Sequence, residues 1–131
     1  MQVSGLNHFT IRCQADQLPA LLDFYTRLLQ LTPGARPVMP FDGYWLYAEG
    51  QPLVHLAAFA DERPASNTGP LDHISFRAHG IQQTRDFLVQ QGIDFQEAPV
   101  EGWPLHQIFL HDPQGLKVEL TFDTREEAQR A

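Results

Sequence analysis

One phrase, written twice, constrains this chain more than anything else in it. Leu6-Asn7-His8-Phe9-Thr10-Ile11-Arg12 returns about half a chain length later as Leu71-Asp72-His73-Ile74-Ser75-Phe76-Arg77. Both copies read Leu, amide or acid, His, apolar, hydroxyl, apolar, Arg. A repeat at this spacing makes the chain two half-length modules that must fold alike. If each copy is a strand, its side chains alternate between two faces. Phe9 and Ile11, like Ile74 and Phe76, then form an apolar face for a helix to cover. His8, Thr10 and Arg12 point the other way, as do His73, Ser75 and Arg77.

A second echo follows each copy. Leu53-Val54-His55-Leu56 comes after the first and Lys117-Val118-Glu119-Leu120 after the second. The same alternation packs Val54, Leu56, Val118 and Leu120 under helices and sends His55 and Glu119 to the polar face. His8, His55, His73 and Glu119 therefore occupy equivalent places in the two modules.

Between the echoes the two halves share one order. Leu18, Leu21, Leu22, Tyr25, Leu28 and Leu29 recur at helical spacing, with Pro19 tolerated in the first turn, so a helix spans 18–29. Thr32-Pro33-Gly34 stops it, and the stretch to Gly43 reads as irregular or edge structure. Tyr44 to Tyr47, a turn over 48–52 and a strand over 53–59 make a hairpin. Residues 61–70, with Pro64, Ser66, Asn67, Gly69 and Pro70, read as a linker. In the second half, 81–91 is a short helix closed by Gly92. Strands follow over 93–95, 105–110 and 116–122, the last after the turn His111-Asp112-Pro113-Gln114-Gly115. The tail from Asp123 reads as a solvated helix end. The expected fold is α+β: one domain over 1–131, with a βαβββ module at about 1–60, the linker, and a second βαβββ module at about 71–123.

The chain has 131 residues, 43% of them hydrophobic, enough for one domain with a real core. A net charge of −7, with no Lys and Arg stripe, argues against a phosphate-backbone partner such as nucleic acid. No run reaches membrane-spanning length, and the N-terminus carries neither a basic nor an apolar leader segment. The reading is a soluble, cytoplasmic protein. The one cysteine, Cys13, cannot form an intrachain disulfide, and its strand parity makes it a buried, inert thiol.

A catalytic metal site needs neutral imidazoles and a carboxylate converging from rigid elements, with a position left open. His8, His73 and Glu119 supply such a set, and His55 is either a fourth ligand or a base beside the metal. A histidine on a strand is more often structural than ligating; the shared parity and repeat register favour the metal reading. If Ile108 and Leu110 face a helix, Gln107 and Phe109 face the site. Trp45, Tyr47, Phe59, Phe109 and Trp103 either line a substrate pocket or pack as ordinary core. Arg12 and Arg77 either capture an anionic group or pair with an acid at the sheet rim.

On these residues the sequence resembles the vicinal oxygen chelate superfamily of glyoxalase I, bleomycin- and fosfomycin-resistance proteins and extradiol dioxygenases. The likeness runs from Leu6-Asn7-His8 to Val118-Glu119-Leu120. It includes Phe24-Tyr25 before Leu28-Leu29, and Asp112-Pro113-Gln114-Gly115 before the last strand. It implies paired modules forming a cupped mixed sheet around a divalent ion: nickel, zinc, cobalt, manganese or ferrous iron. The implied ligands are His8, His73 and Glu119, with His55 where glyoxalase I usually places Glu or Gln. Arg12 matches an arginine that holds the glutathione conjugate there, and Phe59 stands where an Asn often does. The implied activity is a glyoxalase-type lyase or isomerase on a small substrate with adjacent oxygens, with Glu119 or His55 as base and Arg12, Trp45, Phe59, Gln107 and Phe109 about the substrate. An iron-dependent ring-opening dioxygenase is the alternative. Fosfomycin-type thiol transfer and metal-free drug binding rank behind it. Short members of this superfamily commonly dimerise with shared sites, so a homodimer is expected.

Overall fold

The structure is a computed structural model and describes Gln2, Leu6, residues 8–58 and residues 73–130. Phe59, the linker 61–70, Leu71 and Asp72 lie outside the described residues. The chain divides into two compact units, Met1–Asn67 and Thr68–Ala131.

In the first unit β1 (Phe9–Cys13) leads through a 3-10 turn (Ala15–Gln17) into α1 (Leu18–Asp23) and a π-helical turn (Phe24–Leu28). Then come β2 (Thr32–Gly34), β3 (Asp42–Ala48) and β4 (Gln51–Ala58). The four strands form one mixed sheet, ordered β1-β4-β3-β2, with β1 parallel to β4 and the other neighbours antiparallel. The alternation along β1 is as expected: Ile11 and Cys13 are buried, Thr10 and Arg12 exposed. Leu46, Val54 and Leu56 join them in the core, and α1 packs on β4.

The expected single helix over 18–29 is α-helical only to Asp23. Its last turn widens, so that Leu29 N–H donates to Phe24 O at 3.2 Å and Leu31 N–H to Tyr25 O at 2.9 Å. The wider turn carries the buried stripe of Leu18, Leu21, Phe24, Tyr25 and Leu28 on to Leu31. Thr32-Pro33-Gly34, expected as the stop, is an edge strand, a place where Pro33 withholds no needed donor. The hairpin turn narrows to Glu49-Gly50, both at positive φ (50° and 78°), a two-residue connection whose twist suits the flanking strands. β4 therefore begins at Gln51 rather than Leu53.

The second unit repeats the plan with β5 (His73–Arg77), α2 (Ile81–Gln90), β6 (Gln96–Pro99), β7 (Leu105–His111) and β8 (Lys117–Asp123), then α3 (Thr124–Arg130). Its sheet is ordered β5-β8-β7-β6, with β5 parallel to β8 and the other neighbours antiparallel. Ile74, Ile108, Leu110, Val118, Leu120 and Phe122 are buried on one face, and α2 buries Leu88. The matching registers pair Thr10 with His55 and Ser75 with Glu119.

The strand expected over 93–95 lies instead at Gln96–Pro99. Gly92, at φ 69°, closes α2 by donating to Val89 O, and Ile93 N–H is spent on Leu88 O at 3.0 Å, so pairing starts only beyond it. α2 has no cap from its own Gly80. Glu127 of α3 supplies one, accepting from Gly80 N–H at 2.9 Å and Ile81 N–H at 3.0 Å.

Two substitutions check this packing. Phe122→Ala empties a fully buried site and is expected to cost about 3–5 kcal/mol in denaturant unfolding. Gly43→Ala would drive a Cβ into the Leu56 carbonyl oxygen; separating β3 from β4 to admit it is expected to cost about 1–3 kcal/mol. Unchanged unfolding midpoints would contradict the assigned strand contacts.

Candidate functional site

In the second unit, β5, β7 and β8 bring His73, Ser75, Gln107, Phe109, Lys117, Glu119 and Thr121 onto one face. The buried run Val118, Leu120, Phe122 fixes this, since it leaves the alternate residues of β8 on the other side. His73 Nε2 lies 3.4 Å from Glu119 Oε1. Glu119 is only 7% exposed, and its Oε2 accepts from Gln107 Nε2 at 3.2 Å. The same amide nitrogen donates to Thr121 Oγ1 at 3.2 Å, and Thr121 shares a 2.7 Å hydrogen bond with Ser75. Phe109 pairs across from Glu119 and carries the Lys117 ammonium 5.0 Å above its ring. Gln107 and Phe109 thus lie on the expected face, with Gln107 bonded to Glu119.

In the first unit the equivalent place is aromatic. The His8 and His55 rings stack with centroids 3.9 Å apart and planes within 10°, and Trp45 stacks on the other side of His55 at 4.0 Å. Trp45 faces His55 across β3 and β4, so this register builds the stack. His55 is 9% exposed, with its Nε2 3.1 Å from Pro52 O. A carbonyl oxygen only accepts, so Nε2 carries the proton and Nδ1 keeps a lone pair. Burial, then the neighbouring His8, push the His55 pKa down; the bond to Pro52 O opposes them. Arg12 is exposed at the end of β1.

The separation of His73 and Glu119 tests whether a divalent ion suits them. Two ligand atoms each about 2.1 Å from an ion, at a tetrahedral angle, lie about 3.4 Å apart. The observed 3.4 Å fits one imidazole and one carboxylate oxygen on a common ion. His8 and His55 are arranged differently: their rings are stacked within 10° of parallel, with centroids 3.9 Å apart, so their in-plane lone pairs lie in two separate layers and do not converge on one ion. Within neither unit do three or more His, Cys, Asp or Glu gather among the described residues. What the structure brings together are two pairs, one per unit.

Other polar and aromatic residues take structural or peripheral places. His106 lies on the covered face of β7, 2.8 Å from Glu97, which also binds Arg85 of α2 at 2.7 Å. Arg85 foremost, then His106, lowers the Glu97 pKa. Cys13 is buried, and burial raises its thiol pKa. Trp103 is mostly exposed. Ser75 lies on the expected face with His73 and Glu119; Lys117 and Thr121 are the site-face neighbours that the sequence reading leaves out, and the period-two spacing of 117, 119 and 121 is the signal that places them.

The fold has many solved counterparts. A protein of Bacillus anthracis assigned to the glyoxalase family superposes with a TM-score of 0.75 at 18% identity, covering 94% of this chain and 98% of that one. The genomically encoded fosfomycin resistance protein FosX of Listeria monocytogenes gives 0.67 at 16% identity, covering 96% and 98%. A variant of FosX has been solved with Mn(II) and 1S,2S-dihydroxypropylphosphonic acid. An antibiotic binding protein of a Streptomyces species gives 0.68 at 18% identity, covering 94% and 98%. No curated protein matches the sequence. No helix among the described residues is long and apolar enough to cross a membrane. The family model of the Glyoxalase/Bleomycin resistance protein/Dioxygenase superfamily matches residues 5–120, and the chain belongs to that superfamily.

Proposed function

We propose that this protein is a divalent-metal-dependent enzyme of glyoxalase type, moving a proton within a small substrate that presents two adjacent oxygens. The observation that carries the reading is the buried Glu119 carboxylate held 3.4 Å from His73 Nε2 on the face that β5, β7 and β8 share. His73, Glu119 and His8 would hold the ion, with His8 drawn from this chain or from a second copy in a homodimer. Such an ion supplies Lewis-acid polarisation of the substrate oxygens while leaving positions open for them.

His55 is the proposed base. A base must be unprotonated at neutral pH, and burial beside His8 favours that form. With Nε2 committed to Pro52 O, Nδ1 is the atom left to take a proton. Trp45 stacked on one face and His8 on the other fix the ring. Arg12 would meet an anionic part of the substrate, and Phe109 and Trp45 its apolar part. A lone, buried Cys13 fits a reducing, cytoplasmic setting.

A second reading, a ferrous ring-opening dioxygenase, is favoured by one observation. His55 stands where glyoxalase I usually has Glu or Gln, and two His with one carboxylate also serve that chemistry.

Elemental analysis of anaerobically purified protein is expected to find stoichiometric metal, lost in His73→Ala. Turnover of the methylglyoxal–glutathione hemithioacetal by the nickel, zinc, cobalt or manganese protein supports the first reading; oxygen uptake by the ferrous protein with catechols supports the second. Absence of metal from both proteins, even after reloading, would leave metal-free ligand binding.

Sedimentation at micromolar concentration is expected to give a dimer, and a monomeric mass would contradict shared sites.

The depressed His55 pKa also predicts a pH dependence. Below the ordinary value of 6.5 the unfolded chain takes up a proton that folded His55 resists, so stability falls as pH drops through the lowered native value. In metal-free protein, His55→Phe keeps a ring in the stack and is expected to flatten the melting temperature between about pH 7 and 5. Parallel profiles for the two proteins would contradict the assignment.

A further inference from the structure

We propose that Gln107 is the positioning residue that makes Glu119 a one-oxygen ligand. The inference rests on the metal reading above and deepens it. Gln107 lies on β7 opposite Thr121 and diagonal to Glu119. Its Nε2 has two hydrogens and spends both, one on Glu119 Oε2 and one on Thr121 Oγ1, each at 3.2 Å. A carboxylate only accepts, so the amide must turn its nitrogen toward it. Thr121 is itself tied to Ser75 at 2.7 Å, and Ser75 lies on β5, the strand that carries His73. The chain Ser75, Thr121, Gln107, Glu119 therefore braces the carboxylate across three strands.

The two oxygens of Glu119 are not equivalent in this arrangement. Oε2 is committed to Gln107, whereas Oε1 faces His73 Nε2. A carboxylate binding an ion through both oxygens fills two coordination positions, and one held by an amide fills a single position. A substrate that brings two adjacent oxygens needs two positions, so the Gln107 bond keeps the second one free. Gln107, expected from sequence to touch substrate, acts instead through Glu119.

The test uses Co(II) alone as probe and compares wild type with Gln107→Met, which keeps bulk but removes the donor. Affinity is read by competition with a chromophoric chelator, and coordination by the visible absorption of bound Co(II), which weakens as the coordination number rises. Gln107→Met is expected to bind Co(II) about 10- to 100-fold more weakly and to show a weaker, shifted absorption as Glu119 Oε2 joins the ion. A role confined to folding would lower the melting temperature of the metal-free variant and leave the spectrum of the folded fraction unchanged. Thr121→Val removes only the brace and is expected to change the spectrum in the same direction by less; it carries the test if Gln107→Met does not fold. A wild-type spectrum in whichever variant folds overturns the positioning role alone. Failure of wild type to bind Co(II) overturns the metal reading and this inference together.

Discussion

The account depends on how a carboxylate is kept buried at Glu119. Removing an ionised group from water is costly unless partners replace the lost hydration. Here the partners are the Gln107 amide on one oxygen and the His73 imidazole beside the other. Each comes from a different strand, so the carboxylate holds its place only when β5, β7 and β8 are all in register. Slipping any of them by one residue would turn its contribution to the covered face. The apolar run Val118, Leu120, Phe122 fixes that register from the other side of the sheet, which ties core packing directly to the chemistry of the site.

The two modules reach the same backbone answer and fill its equivalent position in different ways. In the second, Glu119 sits in a polar chain that ends at Ser75. In the first, His55 is clamped between two rings and anchored through Nε2 to the strand's own carbonyl at Pro52. One arrangement holds negative charge; the other, by burial beside a second imidazole, resists positive charge. That contrast suits a division of labour in which His73 and Glu119 ligate while His55 carries the proton.

Period-two alternation made the site faces legible in the sequence. His8, His73, His55 and Glu119 were placed by strand parity, and Gln107 and Phe109 by the parity of Ile108 and Leu110. What parity cannot show is which side chains meet across strands. The Trp45 stack on His55 and the Gln107 bond to Glu119 depend on register, which a single strand does not encode. Short edge strands were the least legible elements. Thr32-Pro33-Gly34 resembles a helix stop and nevertheless pairs with β3, and β6 is set by where the Gly92 turn releases the backbone, not by the apolar Ile93 and Phe95. The Glu127 cap on α2 joins residues far apart in the chain and leaves no local signal.

The account's central claim is the ion held at His73 and Glu119, so the most direct measurement is anomalous diffraction from crystals of the cobalt- or zinc-loaded protein. The account predicts one ion per site bound by His73, His8 and a single Glu119 oxygen, each at about 2.0–2.2 Å, with Glu119 Oε2 still on Gln107. An ion held without His8, or no ion at His73 and Glu119, would contradict it.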